Sequence, residues 1–399
     1  MHEYRSDFPL LNADNAIPPV YFDNACMSLK PRRVLDAMNT YYTEYPACAG
    51  RSSHRLSEKA TQKVTEARKH VARFLNSSRE EEVVFVRNTT EAINLLAYSL
   101  NLAPGDRILT SDKEHNSNLV PWQIACERRG AVHSIVRSRE DGTFDLEAFR
   151  TLVPGAKIVS MVHTSNLDGV SIPAKDIIKI AHEHGALVIL DAAQSAPHQK
   201  IDVQDLDVDF VALSGHKMLG PTGTGVLYGK YELLQGLQPF LTGGDTVEYT
   251  TYEKHVMLPT PEKFEAGLQD YAGIIGLGEA TRYVQKVGFA TIQARELELN
   301  AFITNELKVI PAIRIIGPQD PALRSGIFNF YMPGVNMHQI ALMLDETAQV
   351  MIRSGQHCVH SWFKDRGIEN SARISVYFYN TVEEAKRCVD ALKKISLLF

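Results

Sequence analysis

The 399-residue sequence predicts an α/β protein with a large domain built on a mostly parallel sheet and a smaller α+β domain at its C-terminal end. Short, unbroken apolar runs alternate with amphipathic stretches from about residue 54, a pattern typical of strands buried on both faces and joined by helices. The pattern changes after about residue 270 to a long helical stretch and then short strands interleaved with helices. We therefore expect three segments: residues 1–20 packing on the small domain, residues 21–270 forming the large domain, and residues 271–399 forming a connecting helix and the small domain.

The elements of the large domain follow from local patterns. Residues 54–75 place apolar side chains on one face of a long helix. Residues 82–86 are rich in β-branched side chains and predict a strand that leads into a helix capped by Thr89 or Thr90. Residues 174–184 predict a crossover helix. Four further apolar runs predict buried strands, at residues 107–110, 157–162, 186–190 and 210–213.

The elements of the small domain are shorter. Residues 274–309 predict one long helix that leads into it. Two further helices are expected at residues 337–345 and 382–392. Strands are expected at residues 313–316, 327–331, 350–352 and 374–378.

Composition excludes several classes of protein. The 42 basic and 47 acidic residues give a net charge of −5, without the basic excess that a nucleic-acid or anionic membrane surface shows. No apolar run reaches the ~18 residues of a spanning helix, and the first residues do not resemble a secretory signal. Five cysteines without a C-x-x-C pair argue against a disulfide framework or structural zinc. We expect a cytoplasmic protein with no nucleic-acid partner, no membrane partner and no metal site.

Two charged residues follow neighbouring predicted strands. Asp191 by itself is compatible with a helix cap, a Mg²⁺ ligand or an anchor for a cationic ring, and Lys217 by itself with a solvated side chain. Together they fit pyridoxal phosphate (PLP), which needs a lysine for its Schiff base and an acid against its pyridinium nitrogen. Adjacent parallel strands would bring both residues to the carboxyl edge of the sheet, where ligands bind in open α/β sheets.

A phosphate site is predicted at the start of the helix that begins near Thr89. Its backbone N–H groups and the hydroxyls of Thr89 and Thr90 favour an anion, although these threonines can also serve as caps. Ser214 and His216, which closely precede the lysine, can add phosphate contacts. His115 follows another strand and could stack on a flat heterocycle, but an isolated histidine is more often an ordinary loop residue.

The sequence resembles the fold-type I, class V aminotransferase-like PLP enzymes, and within them the group II cysteine desulfurases and selenocysteine lyases. The resemblance covers nearly the whole chain. The cysteine segment, residues 353–358, resembles the short catalytic-cysteine loop of group II. The other matching segments are residues 21–25, 51, 89–91, 114–118, 163–166, 191–194, 214–225 and 264–267.

The resemblance implies a mostly parallel seven-stranded sheet and a PLP-dependent conversion of L-cysteine to L-alanine. The sulfur would pass to Cys358 as a persulfide, for delivery to a sulfur acceptor such as an iron–sulfur scaffold or to thio-cofactor assembly. Lys217 would carry the cofactor and transfer protons, assisted by His115. Asp191 would hold the ring nitrogen and Gln194 the ring hydroxyl. The family is dimeric, so a homodimer is expected.

The resemblance also implies the substrate contacts and shows three departures. Arg373 and Asn166 would hold the substrate carboxylate, with Arg353 and Arg51 completing the set. Leu268 replaces a hydroxyl residue that reaches the partner's cofactor phosphate, which Gly243 and Gly244 could contact instead. Gly50 replaces a histidine found in many group II members. Cys26 replaces a small residue and could be inert, a second thiol in the pocket or part of a sulfur relay.

Other functions remain compatible with the sequence. Selenocysteine lyase, cysteine sulfinate desulfinase and aminotransferase activities use the same fold, and L-selenocysteine is a possible substrate. A non-catalytic alternative is an inactive PLP-fold partner subunit, although such a protein has no chemical need for Lys217, Asp191 and Cys358 together. A metal hydrolase that uses His182, His184 and His198 is less well supported, because these residues lack H-E-x-x-H spacing.

Overall fold

The computed structural model describes residues 2–12 and 19–399. The strands are β1 (Val20–Tyr21), β2 (Val83–Val86), β3 (Arg107–Ser111), β4 (Val132–Val136), β5 (Ala156–Val162), β6 (Leu187–Asp191), β7 (Phe210–Ser214), β8 (Gly225–Gly229), β9 (Val247–Thr250), β10 (His255–Met257), β11 (Arg314–Ile316), β12 (Ile327–Tyr331), β13 (Val350–Met351), β14 (Arg353–Gly355) and β15 (Ser371–Ser375). The helices are α1 (His2–Arg5), α2 (Arg32–Glu44), α3 (Arg55–Leu75), α4 (Thr89–Ser99), α5 (Asn116–Arg129), α6 (Leu146–Leu152), α7 (Ala174–Glu183), α8 (Val203–Leu206), α9 (Tyr231–Gly236), α10 (Tyr271–Val287), α11 (Phe289–Leu307), α12 (Met337–Ala348), α13 (His360–Arg366) and α14 (Val382–Ile395).

A seven-stranded sheet forms the centre of the large domain, in the order β2-β8-β7-β6-β5-β3-β4. Only β8 runs antiparallel to its neighbours β2 and β7. The predicted α/β fold with a mostly parallel seven-stranded sheet is therefore confirmed. Strands β6 and β7 are parallel, with Asp191 opposite Ala212, so the residues that follow both strands reach the same edge of the sheet.

Burial on both faces explains the unbroken apolar runs. In β6, Val188 and Leu190 belong to the core beneath α3, α7 and α10, whereas Ile189 belongs to the core beneath α4 and α5. Successive side chains of a strand point to opposite faces, so both sets must be apolar when helices cover both faces. The sheet is thus a rigid layer whose edge carries the polar residues.

The C-terminal part of the chain has its own antiparallel sheet, in the order β11-β12-β15-β14. Helices α11, α12 and α14 pack on it around a separate hydrophobic core. Strand β1 pairs with β13 of this part, and Arg5 forms an ion pair with Glu384 at 2.7 Å. Phe8 instead belongs to the core of the large domain, in contact with Tyr283 and Tyr379. The segment boundaries at residues 20 and 270 remain a proposal, which the two separate cores support.

Several local predictions were wrong. The predicted helix at residues 274–309 is two helices, α10 and α11, separated at Gly288, whose φ is +83°. Asn88, rather than a threonine, caps α4 by accepting the Glu91 N–H at 3.0 Å. The strand expected at residues 374–378 is β15, which begins at Ser371.

No helix within residues 2–12 and 19–399 combines the length and apolar character needed to cross a membrane.

Candidate active site

A cavity of about 190 Å³ lies at the carboxyl edge of the central sheet. Its walls come from the ends of β6 and β7, the start of α4 and the loop before α5. The cavity is lined by nine residues that the sequence analysis assigned to the cofactor or the substrate: Thr89, Thr90, His115, Asn166, Asp191, Gln194, Ser214, His216 and Lys217. Residues separated by more than one hundred positions in the chain therefore share one site.

Asp191 and Lys217 are oppositely charged groups on the wall of this cavity. Asp191 ends β6 and its Oδ1 accepts the Ala193 N–H at 2.9 Å, while Lys217 ends a 3₁₀ turn that follows β7. Burial raises the pKa of the Asp191 carboxyl, and the Ala193 N–H and Lys217 charge oppose this. Burial also lowers the pKa of the Lys217 amine, which the Asp191 charge opposes. A lysine with a lowered pKa is more readily uncharged, as a nucleophilic amine must be.

Polar groups converge where α4 begins. The Thr89 N–H donates to Ser214 Oγ at 2.9 Å, and Thr90 Oγ1 lies 2.6 Å from Ser117 Oγ. Asn88 and both threonines line the cavity, so the N-terminus of an eleven-residue helix faces it. A helix N-terminus carries partial positive charge and free N–H groups, which suit a phosphate.

His115 is held as a neutral ring. Its Nδ1 accepts the Ser117 N–H at 3.1 Å, which leaves the ring proton on Nε2. Burial, followed by the charges of Lys217 and Arg373, lowers the pKa of His115 to about 3. The imidazole is therefore uncharged at neutral pH and can lie against a flat heterocycle without bringing a further positive charge into the site.

Arg373 lies beside the cavity and contacts one of its walls. It belongs to β15, and its Nη1 donates to the Asn166 carbonyl oxygen at 2.8 Å, while Nη2 lies 3.4 Å from Asp23 Oδ1. The Nε of Arg373 and the Oδ1 of Asn166 are buried and have no hydrogen-bond partner among the described residues. The unpaired N–H of this guanidinium can donate to a ligand carboxylate, whereas the Asn166 oxygen can accept from a ligand donor such as an amine.

The cysteine loop follows β14 and is fixed to the large domain. Asn166 Nδ2 donates to the His357 carbonyl oxygen at 2.8 Å, and the Asn116 N–H donates to the Cys358 carbonyl oxygen at 2.7 Å. His357 and Cys358 both have positive φ, +49° and +59°. Such consecutive left-handed residues cost of order 1–3 kcal/mol each and are found most often at functional sites. Cys358 is half-buried and free, but it does not line the cavity around Lys217.

Arg353 brings a second guanidinium and a second thiol to the same region. It lies in β14 directly opposite Arg373 of β15, and its Nη1 is 2.6 Å from Cys26 Sγ. The sequence analysis left three possibilities open for Cys26. Its contact with Arg353 places this thiol next to the predicted substrate-binding arginines.

Three of the predicted residues that do not line the cavity are exposed, namely Arg51, Gly243 and Gly244. Arg51 is exposed and forms an ion pair with Asp245, and Gly243 and Gly244 lie in the same exposed stretch. Leu268 is also exposed, at 65%. Within one chain, the structure does not bring these residues to the cavity of Lys217.

The sequence analysis also missed several residues of the site. Asn88 could have been found, because an asparagine before Thr-Thr-Glu is a typical N-cap pattern. Asp23 and Ser117 bond to Arg373 and His115, and His198 and Glu296 form a buried pair behind Gln194. The contacts of Asp23, His198 and Glu296 arise from three-dimensional packing and no local pattern marks them, whereas Ser117 lies only two positions after His115.

Comparisons with known proteins decide the family. Residues 20–388 match the family described as Aminotransferase class-V. The chain belongs to this family. As a class-V member, it is 42% identical over 395 residues to a probable cysteine desulfurase from Synechocystis sp. (strain ATCC 27184 / PCC 6803 / Kazusa), covering 98% of this chain and 94% of that protein.

Two solved structures are similar to this class-V protein. A cysteine desulfurase from Thermococcus onnurineus NA1, in its apo form, gives a TM-score of 0.95 at 36% identity, covering 100% of this chain and 98% of that chain. The cysteine desulfurase CsdA from Escherichia coli, in an S-sulfonic acid form, gives 0.91 at 32% identity, covering 100% and 98%. The predicted family and fold are confirmed, while the group II subdivision remains a prediction.

Proposed function

We propose that the protein is a PLP-dependent cysteine desulfurase, which converts L-cysteine to L-alanine and takes the sulfur on Cys358 as a persulfide. The observation that carries the proposal is a single juxtaposition. Lys217 and Asp191 share a cavity, and Asn166 on its wall binds both Arg373 and the loop that carries Cys358. The names of relatives about 40% identical over the whole chain support it. The fold alone would not support this function, because unrelated reactions share this scaffold.

The cavity fits PLP in its chemistry. It offers a lysine amine, a buried carboxylate, a helix N-terminus for a phosphate and a neutral imidazole for a ring face. Gln194 Oε1 and Asn166 Oδ1 are buried there without a partner among the described residues, as expected of atoms that await a ligand. When bound, PLP supplies a conjugated ring that accepts the negative charge developing on the substrate.

Each group on the cavity wall has a proposed task. Asp191 holds the ring nitrogen in its protonated form, Gln194 bonds to the ring hydroxyl, and His115 packs against the ring face. The phosphate is assigned to the start of α4 and to neighbouring side chains, namely Thr89, Thr90, Ser214 and His216. These contacts orient the reactive end of the ring toward Lys217.

The substrate carboxylate is held by residues of both domains. Arg373 and Asn166 bind the carboxylate of L-cysteine, and Arg353 adds positive charge from the neighbouring strand. Lys217 removes the proton from the substrate α-carbon and later returns a proton to the product. General acid–base catalysis of this kind contributes about 10²- to 10⁴-fold to the rate.

Cys358 acts on the substrate sulfur. Its thiolate attacks that sulfur, a new S–S bond forms as the substrate C–S bond breaks, and the electron pair stays with the carbon fragment. That fragment takes up a proton and leaves as alanine. The sulfur then remains on Cys358 for transfer to an acceptor protein such as an iron–sulfur scaffold, in a cytoplasmic setting.

We also propose a homodimer. Arg51, Gly243 and Gly244 lie at the surface, away from the cavity of their own chain. In a two-fold dimer the same surface faces its counterpart, so these residues would approach the partner's cofactor. Gly243 and Gly244 would contact its phosphate there, and Arg51 its substrate.

The test is incubation of the PLP-loaded protein with L-cysteine, followed by intact-mass measurement and alanine assay. We expect one added sulfur atom on the wild type, removable by a thiol reductant, and alanine in step with the sulfur transferred. Cys358→Ala should gain no sulfur, whereas Cys48→Ala, which removes another half-buried free thiol, should behave as the wild type. Amino-group exchange with a keto acid, without sulfur transfer, would contradict the proposal and favour an aminotransferase.

A further inference from the structure

Three buried side chains, those of Gln194, His198 and Glu296, form a hydrogen-bonded series that extends from the cofactor cavity into the protein interior. Gln194 Nε2 lies 3.2 Å from His198 Nε2, and His198 Nδ1 lies 2.5 Å from Glu296 Oε1. The exposed fractions of these residues are 3%, 6% and 1%. The proposed mechanism uses Gln194 but gives no task to His198 or Glu296.

The buried pair favours a state without net charge. A lone carboxylate on Glu296 would be costly at this depth, and burial indeed raises its pKa while His198 opposes the rise. A neutral imidazole and a carboxylate together carry one negative charge. The pair therefore needs one additional proton to become neutral. With that proton held in the short contact between Nδ1 and Oε1, the imidazole keeps its own hydrogen on Nε2.

The Nε2–H of His198 selects one end of the Gln194 amide. The two ends of an amide exchange places by a half-turn of the side chain, and only the carbonyl oxygen can accept this hydrogen. The NH₂ group must then face the cavity. The structure places Oε1 on that side, buried and without a hydrogen-bond partner among the described residues, and a half-turn of the amide exchanges it with the NH₂ group.

We propose that His198, held by Glu296, is a positioning residue that donates to the Gln194 carbonyl and turns the amide NH₂ toward the ring oxygen of the cofactor. The inference rests on the proposed function, because it needs PLP in the cavity. An N–H donor stabilises the anionic form of the ring oxygen. The pair would therefore influence the protonation of the bound cofactor without touching it.

The test is a pH titration of the visible absorbance band of the bound cofactor, without substrate. His198→Phe removes the donor, so the ring oxygen holds its shared proton more tightly. We expect the midpoint to rise by about one pH unit, a tenfold change in proton affinity. His198→Gln places an amide N–H where Nε2 was and should restore the wild-type midpoint.

A second histidine–carboxylate pair supplies the control. His182 Nε2 lies 2.9 Å from Asp209 Oδ2, next to the opposite, amino end of β7, so His182→Phe should leave the midpoint unchanged. A wild-type midpoint in folded, cofactor-loaded His198→Phe would overturn the proposal. So would a His198→Gln midpoint shifted as far as that of His198→Phe.

A further variant keeps the proposal testable if His198→Phe does not fold. If His198→Phe does not fold, Glu296→Gln removes the charge that requires the extra proton, and the midpoint should again rise. An unchanged midpoint there overturns the proposal. Failure of the proposed function would appear differently, since the wild type would then bind no cofactor or Lys217→Ala would keep the visible band.

Discussion

Burial, together with the positive charges around the cavity, keeps two of its histidines neutral. Burial, followed by the charges of Lys217, Arg373 and Arg353, lowers the pKa of His115 to about 3. His216 has a pKa lowered to about 4, by burial and then by Lys217 and Lys30. These imidazoles therefore carry no charge at neutral pH. The positive charge beside the cavity is therefore carried by groups such as Arg373 and Arg353, which can bind a carboxylate.

The first residue-scale prediction concerns Lys217. Lys217→Ala should lose the visible band of the bound cofactor and reduce alanine formation by at least about 10²- to 10⁴-fold, because both the covalent anchor and the acid–base group are removed. Lys200→Ala is the control, since this lysine is exposed and forms an ion pair with Asp202, away from the cavity lining. A visible band that persists in Lys217→Ala would show that another residue anchors the cofactor.

The second prediction concerns acid stability. Burial lowers the pKa of His163 to about 4, below the ordinary value of 6.5, so the unfolded chain binds the proton more readily. Stability from this neutral histidine is complete above pH 6.5 and is lost toward pH 4, at about 1.4 kcal/mol per pH unit. His163→Gln lacks this contribution. Its deficit in unfolding free energy should shrink as the pH falls, as urea denaturation at several pH values would show. A constant deficit contradicts the assignment.

The sequence shows some site residues better than others. Lys217 and Asp191 could be predicted because each lies at or shortly after the end of a buried apolar strand, and parallel strands end at one edge. Asp23 could not, because its ion pair with Arg373 joins positions 350 residues apart. The pairing of His198 with Glu296 likewise depends on how α11 packs against the large domain.

Strands and helices differ in how clearly the sequence predicts them. Strands β5, β6 and β7 are buried on both faces and appear as apolar runs. Strand β8 escaped prediction because glycines at both ends weaken its strand character. One of them is required, since a Cβ on Gly225 would lie 2.7 Å from the Asn88 Cα.

A prediction at the scale of the element concerns the break between α10 and α11. Gly288 has a φ of +83°, which L side chains rarely adopt. Gly288→Ala should therefore lower the unfolding free energy by about 1–3 kcal/mol. Gly236→Ala is the matched control, because a Cβ there also meets open space but the backbone is not left-handed. Equal stability of the two variants, measured by urea denaturation, would contradict the conformational explanation.

At the scale of the whole molecule, the chemistry depends on how two cores meet. Lys217 and Asp191 belong to the large domain, whereas Arg373 and Cys358 come from the C-terminal part. Asn166 of the large domain joins the two parts by two hydrogen bonds, one to His357 in the cysteine loop and one to Arg373 in β15. The sequence predicted both parts, but their relative placement follows from side-chain contacts that no local pattern reveals.

An exposed apolar surface gives the last prediction. Phe240, Leu241 and Leu268 are 37%, 46% and 65% exposed and line one groove of about 430 Å³. Exposed apolar side chains grouped in this way mark interaction surfaces. Because the proposed dimer would bury them, Leu268→Arg should yield monomers in sedimentation velocity and weaken PLP binding.

The matched control is Leu342→Arg, which places the same charge on α12, at a leucine 61% exposed and remote from this groove, and should remain dimeric. A fully active wild-type monomer, or a Leu268→Arg dimer with normal PLP binding, would contradict this interface. In either case the phosphate would have to be held by Thr89, Thr90 and Ser214 of its own chain. The surface residues Gly243 and Gly244 would then have no part in the site.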